Sequence, residues 1–142
     1  MTSHVTFAEE ETRDLAADLV RRLAPGSVVL LEGELGAGKT AFVKGLASGL
    51  GLDPADVSSP SFALVHEYGP AGKPPVLVHA DLYRVREGAS IEDLGLEGRG
   101  SAILAVEWPR QPLTPLRAWR VSIAVGEGGA RRIDLAPPDD RS

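Results

Sequence analysis

Apolar residues recur every three or four positions in two stretches of the chain, and this spacing is typical of an amphipathic helix. The first stretch begins after Thr6 and Glu9, whose spacing predicts a capping box at the start of a helix. Pro25 and Gly26 end this stretch, and Gly51 follows the end of the second. The apolar positions are Leu15, Leu19, Val20 and Leu23 in the first stretch and Phe42, Val43, Leu46 and Leu50 in the second.

The other apolar stretches are shorter and predict β-strands. Several of them are continuously apolar, which favours parallel strands that are buried on both faces of a sheet. The last two are separated by a glycine-rich turn at residues 126–129 and therefore predict a β-hairpin. The predicted strands are Val28–Glu32, Ala63–Tyr68, Val76–Asp81, Ile103–Glu107, Trp119–Val125 and Arg131–Leu135.

A phosphate-binding motif lies between the first predicted strand and the second predicted helix. Residues Gly33 to Thr40 read Gly-Glu-Leu-Gly-Ala-Gly-Lys-Thr, which is a complete GxxxxGK[ST] pattern. In this motif backbone N–H groups surround the phosphates, Lys39 reaches the outer phosphates, and the Thr40 hydroxyl binds a metal ion. We therefore expect an α/β fold of the P-loop NTPase type, with a mixed sheet, a largely parallel core, flanking helices and a C-terminal β-hairpin. We also expect binding of a nucleoside triphosphate with Mg²⁺.

Two of the predicted strands end in an acidic residue, Asp81 in one and Glu107 in the other. In open α/β sheets, ligands bind at the carboxyl ends of the strands. A magnesium ion on a nucleotide needs a carboxylate close to the hydroxyl of the loop, either on the ion or on one of its waters. Asp81 and Glu107 are therefore both candidates for the metal site.

Length and composition narrow the class of protein. The 142 residues fit a single domain spanning residues 1–142, with a flexible tail expected at 137–142. The chain has no cysteine, no basic and apolar leader, and no apolar run long enough to span a membrane, so we expect a cytoplasmic protein without a membrane partner. A net charge of −5 argues against a broad surface for binding nucleic acid.

The motif specifies neither the base of the nucleotide nor the reaction. The chain contains no asparagine and therefore lacks the NKxD element of Ras-type GTPases. A small-molecule kinase needs an acceptor pocket and often a lid, and 142 residues leave little room for either. A minimal ATPase or a nucleotide-dependent module that acts on a partner is favoured. A P-loop phosphotransferase and an ATP-dependent binding switch without hydrolysis remain alternatives.

The order of four motifs resembles the TsaE family, formerly called YjeE. After the phosphate loop come Ser-Pro-Ser-Phe-Ala-Leu-Val at 59–65, His-Ala-Asp-Leu-Tyr-Arg at 79–84 and Val-Glu-Trp-Pro at 106–109. The resemblance implies a bacterial cytoplasmic ATPase required for forming threonylcarbamoyladenosine, next to the anticodon of tRNAs that read codons beginning with A. It also implies that the partners TsaD and TsaB carry out the transfer chemistry, and that tRNA is met only through their complex.

The resemblance also implies roles for individual residues. The phosphates of ATP would be held by Gly33 and by the loop residues from Leu35 to Thr40, which include Gly36, Ala37, Gly38 and Lys39. Thr40 and Glu107 would bind Mg²⁺, and Asp81 would assist the metal or the attacking water, so that Lys39, Asp81 and Glu107 form the catalytic set. Thr12 matches a position near the base, and Arg131 matches a nucleotide-contacting arginine, although the adjacent Arg132 is an alternative.

Three further residues of these motifs have simpler interpretations. Ser61 stands where the family usually has threonine, which keeps the hydroxyl and loses the methyl group. Tyr83 and Trp108 match family aromatic residues and are expected to serve packing or an interface. His79 lies two residues before Asp81 on the same face of a predicted strand, and we interpret it as structural.

Overall fold

The computed structural model describes residues 1–34, 36–57, 65–81, 100–107 and 118–138. They form a seven-stranded mixed sheet in the order β1-β7-β6-β2-β5-β4-β3. The strands are β1 (Thr2–Thr6), β2 (Val28–Gly33), β3 (Val65–Tyr68), β4 (Leu77–Asp81), β5 (Ile103–Glu107), β6 (Trp119–Val125) and β7 (Arg131–Ala136). The helices are α1 (Glu9–Val20) and α2 (Lys39–Gly49), with short 3-10 turns at Pro54–Asp56 and Glu127–Gly129.

The centre of the sheet is parallel and its edges are antiparallel. Strand β2 pairs in parallel with both β5 and β6, and β5 pairs in parallel with β4. Antiparallel pairing joins β3 to β4, β6 to β7, and β7 to β1. Every residue of β4 and β5 is buried, as expected for continuously apolar strands in the middle of an α/β sheet. The predicted fold class and the C-terminal hairpin are confirmed.

Both helices cover one face of the sheet. This face carries the larger apolar cluster, in which Val29 and Leu31 of β2 pack with Phe42 and Leu46 of α2. Leu30, one position along β2, belongs to a smaller cluster on the opposite face. Alternation along the strand thus separates the two sets of apolar residues, as it must in a pleated strand. Within the described part of the chain, no helix has the length and apolar character to cross a membrane.

The two helices lie close together because α2 has a glycine at their crossing point. A methyl group at Gly45 would lie 2.3 Å from the carbonyl oxygen of Arg13 and 2.6 Å from Cβ of Ala16, both in α1. Contacts this short are not tolerated between real atoms, so a larger residue would push the helices apart. The close contact at Gly45 thus packs α1 and α2 against each other on one face of the sheet.

The predicted capping box at the start of α1 is wrong. The N-cap residue is Ala8, and it makes no side-chain cap. The carboxylate of Glu11 accepts a hydrogen bond from the backbone N–H of Phe7 at 3.3 Å, and the Thr6 hydroxyl bonds the Thr12 hydroxyl at 2.8 Å. Thr6 is therefore the last residue of a strand that pairs with β7, and its side chain connects that strand to α1.

Candidate nucleotide and magnesium site

The phosphate loop connects the end of β2 to the start of α2, as its motif requires. Gly36 and Gly38 have positive φ angles of 80° and 114°, which a residue with a side chain adopts only under strain. Gly38 is the N-cap of α2, no side chain caps that helix end, and its first turn contains no acidic residue. Uncapped N–H groups together with the positive end of the helix dipole favour an anion at this position.

The first glycine of the loop is required for a different reason. A Cβ atom at Gly33 would lie 2.6 Å from the carbonyl oxygen of Ile123 in β6. Gly33 pairs with Ile123 at the end of the parallel ladder between β2 and β6. The loop therefore begins in close contact with the neighbouring strand, and a side chain at this position would displace it.

Lys39 joins the two ends of the loop. Its Nζ donates a hydrogen bond to the Gly33 carbonyl oxygen at 2.7 Å, and the residue is 5 % exposed. An ammonium group held in this way is a compact charge with three donors, which suits it to the oxygens of a polyphosphate. Thr40 follows it in the first turn of α2 and is half-buried.

Arg131, rather than its neighbour, lies against the phosphate loop. Its Nε donates a hydrogen bond to the Ala37 carbonyl oxygen at 2.9 Å, and its Nη1 donates to the carbonyls of Gly129 and Ala130 at 3.1 and 3.2 Å. Arg132 is exposed, and its Nε lies 3.4 Å from the Asp134 carboxylate. Of the two arginines that the sequence left open, Arg131 therefore has the position from which a nucleotide can be contacted.

The two acidic residues end adjacent strands at the same level of the sheet. Asp81 pairs in register with Glu107, and Glu107 pairs with Leu31 near the end of β2. Residues paired in register share a face, so both carboxylates lie on the face that the helices cover. Asp81 is 8 % exposed and Glu107 is 4 % exposed. The structure thus brings Asp81, Glu107 and the phosphate loop to one end of the sheet.

The number of ligands in this region fits magnesium bound through a nucleotide. In the described ranges, no group of three or more His, Cys, Asp or Glu residues is arranged to hold a metal ion. Mg²⁺ does not need such a group, because it keeps several waters and is usually held by one or two carboxylates together with substrate phosphates. The Thr40 hydroxyl, a carboxylate at a strand end and the phosphates would complete this kind of site.

Thr12 is connected to the loop only indirectly. It is 3 % exposed, and its hydroxyl is hydrogen-bonded to the Thr6 hydroxyl. Thr6 pairs in register with Arg131 across β1 and β7, and Arg131 contacts Ala37. Three contacts therefore separate Thr12 from the loop. Its buried position was not suggested by its sequence environment in an acidic helical turn.

One residue beside the acids received only a structural interpretation from the sequence. His79 is fully buried, and its Nε2 lies 3.8 Å from Oε1 of Glu107. This contact could not be predicted from the sequence, because it depends on the register in which β4 pairs with β5. Several residues that the sequence analysis singled out lie outside the described residues: Leu35, Ser61, Tyr83 and Trp108.

A second concavity, of about 470 Å³, lies at the opposite end of the parallel strands. It is bordered by Val20 at the end of α1, by Leu50 just after α2, and by Ile103 at the start of β5. Among the residues that the structure describes, its lining is mainly apolar and proline-rich, with Lys73 as the charged group and no carboxylate. It therefore lacks the groups that a magnesium nucleotide requires, whereas the phosphate loop and the strand-end acids supply them.

Comparison with known proteins agrees with this arrangement. Residues 6–133 match the family described as threonylcarbamoyl adenosine biosynthesis protein TsaE. The tRNA threonylcarbamoyladenosine biosynthesis protein TsaE of a Nostoc species is 39 % identical over 96 % of this chain and 86 % of its own length. The Aquifex aeolicus protein of the same name is 48 % identical over 71 % of each chain.

A solved structure shares the fold. The crystal structure of Bacillus subtilis YdiB superposes with a TM-score of 0.73 and 31 % sequence identity, covering 99 % of this chain and 87 % of that one. The family match includes the phosphate loop, both strand-end acids and Arg131. On these grounds the chain is a member of the TsaE family.

Proposed function

We propose that this protein is a Mg²⁺-dependent ATPase that binds the TsaB–TsaD complex. In this role it supports formation of threonylcarbamoyladenosine next to the anticodon of tRNAs that read codons beginning with A. The observation that carries the proposal is the meeting of a complete phosphate loop with two buried carboxylates at one end of the sheet, in a chain of the TsaE family. We place its action in the cytoplasm, where bacterial tRNAs are modified.

The proposed reaction is in-line attack of water on the γ-phosphate of ATP. Lys39 and the N–H groups at the start of α2 stabilise the negative charge that builds on the phosphate oxygens. Mg²⁺, when bound by Thr40 and Glu107, neutralises charge on the β- and γ-phosphates. Asp81 lies beside Glu107 and orients the attacking water or a water of the metal. Arg131 steadies the loop through the Ala37 carbonyl and adds positive charge beside it.

Partner dependence follows from the groups that this site offers. Positioning and electrostatics dominate phosphoryl transfer, and the described residues at the loop include no strong general base beyond the two carboxylates. We therefore expect slow hydrolysis by the protein alone and faster hydrolysis in the complex with TsaB and TsaD. The net charge of −5 fits a protein that meets tRNA through that complex and not directly.

The direct test combines a pull-down with a product assay. Purified TsaB and TsaD are mixed with the protein and ATP, complex formation is measured, and ³¹P NMR follows the γ-phosphate. Release of inorganic phosphate supports an ATPase. Label on a metabolite would identify a phosphotransferase, and tight ATP binding without hydrolysis in the mixture would identify a binding switch. Failure to capture TsaB and TsaD would refute the proposed partners.

A substitution pair tests the metal site separately. Glu107→Gln keeps the size of a 4 % exposed side chain and removes its charge, so we expect Mg²⁺-dependent turnover to fall about 100-fold, since metal catalysis supplies several kcal/mol. Glu127→Gln is the matched control, because Glu127 is exposed in the turn between β6 and β7. Equal turnover in the two variants would exclude Glu107 from the metal site.

A further inference from the structure

His79 in β4 is a buried histidine whose ring nitrogens form no hydrogen bond within the described ranges of the chain. The residue is 0 % exposed, and both Nδ1 and Nε2 lack a hydrogen-bond partner among the described residues. Its nearest charged group in those residues is Glu107, whose Oε1 lies 3.8 Å from Nε2. A hydrogen bond between nitrogen and oxygen requires about 3.2 Å or less, so the two groups face each other across a gap of about 0.6 Å beyond bonding distance.

Packing alone does not account for a histidine at this position. A buried polar atom without a partner opposes folding, and an apolar side chain of similar size would fill the same space without that cost. Two of its neighbours on the same face of the sheet, Leu77 and Ala105, are apolar, and a third, His66, has its Nδ1 3.1 Å from the Tyr68 hydroxyl. An imidazole is therefore useful here only if one of its nitrogens forms a bond in another state of the site.

We propose that His79 is a positioning residue for the Glu107 carboxylate. Its Nε2–H donates a hydrogen bond to Oε1 of Glu107 when the magnesium nucleotide is bound, which fixes the orientation of the carboxylate and leaves its second oxygen available to the metal. This inference rests on the proposed role of Glu107. Outer-shell hydrogen bonds of this kind commonly change metal affinity by about 10- to 100-fold when they are removed.

The chain provides a matched control histidine. His66 in β3 pairs in register with His79 across the antiparallel β3–β4 ladder, so their side chains lie on the same face. The Nδ1 of His66 lies 3.1 Å from the Tyr68 hydroxyl, a partner outside the acidic pair. Substituting His66 therefore removes a histidine of the same sheet face, while the His79–Glu107 contact is kept.

The experiment measures Mn²⁺ binding to the protein–ADP complex by electron paramagnetic resonance. We expect His79→Leu to bind Mn²⁺ about 10- to 100-fold more weakly than wild type, and His79→Gln to recover most of the loss because its amide can donate from a position near that of Nε2. His66→Leu should stay within about twofold of wild type. ADP affinity measured in EDTA should be unchanged in all variants, because the phosphate loop is intact.

The outcomes separate this inference from the proposed function. If the wild-type protein–ADP complex takes up no Mn²⁺, the magnesium site itself is refuted. If wild type binds Mn²⁺ and His79→Leu binds it equally well, only the positioning role is overturned. A readout that needs no variant is the ¹⁵N spectrum of the His79 ring in the nucleotide-bound wild type: a protonated Nε2 supports the inference, and an unprotonated Nε2 overturns it.

Discussion

Replacement of Gly45 by alanine tests the close contact between α1 and α2. The added methyl group would lie 2.3 Å from the Arg13 carbonyl oxygen, 2.6 Å from Cβ of Ala16 and 2.8 Å from Cα of Arg13. Two of these three atoms belong to the backbone of α1 and cannot rotate away. The helices must therefore separate, and the apolar contacts between α1 and α2 must loosen with them.

The expected magnitude follows from two opposing effects. Overpacking of a tight contact usually costs about 1–3 kcal/mol, and contact with rigid backbone puts this site near the upper end of that range. Alanine is favoured over glycine inside a helix by about 1 kcal/mol, which offsets part of the cost. We expect a net loss of about 2 kcal/mol in the free energy of unfolding, or about 8 °C in Tm for a domain of this size.

Urea unfolding followed by circular dichroism measures the loss, and two variants of α2 serve as controls. Ser48→Ala changes an exposed position and should stay within about 0.5 kcal/mol of wild type. Gly49→Ala brings its Cβ to 2.8 Å from Cγ2 of Val20 and to 3.0 Å from the Ala17 carbonyl oxygen and Cβ of Val20, which are longer contacts than those at Gly45, so we expect a smaller loss of about 1 kcal/mol. If Gly45→Ala were as stable as wild type, the close approach of α1 and α2 would be refuted.

Further predictions concern three polar contacts. Thr12→Val should lower the free energy of unfolding in urea by about 1 kcal/mol, because it removes the partner of the buried Thr6 hydroxyl. The double variant Thr6→Val/Thr12→Val should lose less than the sum of the two single variants, and additive losses would contradict the hydrogen bond. Arg131→Ala should weaken ATP binding about tenfold in calorimetry. An unchanged affinity would show that the contact between Arg131 and the loop does not contribute to nucleotide binding. The hydrogen bond from Ser3 holds the pKa of Asp134 below its usual value of 3.8, so this contribution to stability is present above that pH and is lost as the pH falls through the depressed pKa. NMR titration of Ser3→Ala should move the Asp134 midpoint up towards 3.8, and an unchanged midpoint would refute the bond.

The pattern of neighbouring residues was sufficient to predict the phosphate loop and the strand that precedes it. The phosphate loop is defined by nearby glycines and Lys39, and the strand behind it is continuously apolar, so position and fold class followed directly from the sequence. Asp81 and Glu107 were both predicted as candidates for the metal site, because ligands bind at the carboxyl ends of the strands in open α/β sheets. The structure places Asp81 in register with Glu107 at the ends of two adjacent parallel strands, and their role at a metal site stays a prediction.

Contacts between distant segments could not be predicted in this way. Strand β1 has few apolar residues, and it forms because its backbone pairs with β7 at the other end of the chain. Thr6 therefore reads locally as a helix cap, although tertiary pairing places it in a strand. The choice between Arg131 and Arg132 depends on which side of β7 faces the loop, and neighbouring residues in a strand always face opposite sides.

The hydrogen bond from Arg131 to Ala37 joins residues that are 94 positions apart in the chain. During synthesis the glycine-rich segment, β2 and α2 leave the ribosome long before β7 exists. A nascent chain therefore has the whole phosphate-binding motif but lacks the arginine that braces it, and the brace forms only after the last strand has emerged. We therefore expect a nascent chain that lacks β7 to bind nucleotide less firmly than one in which β7 has emerged and paired.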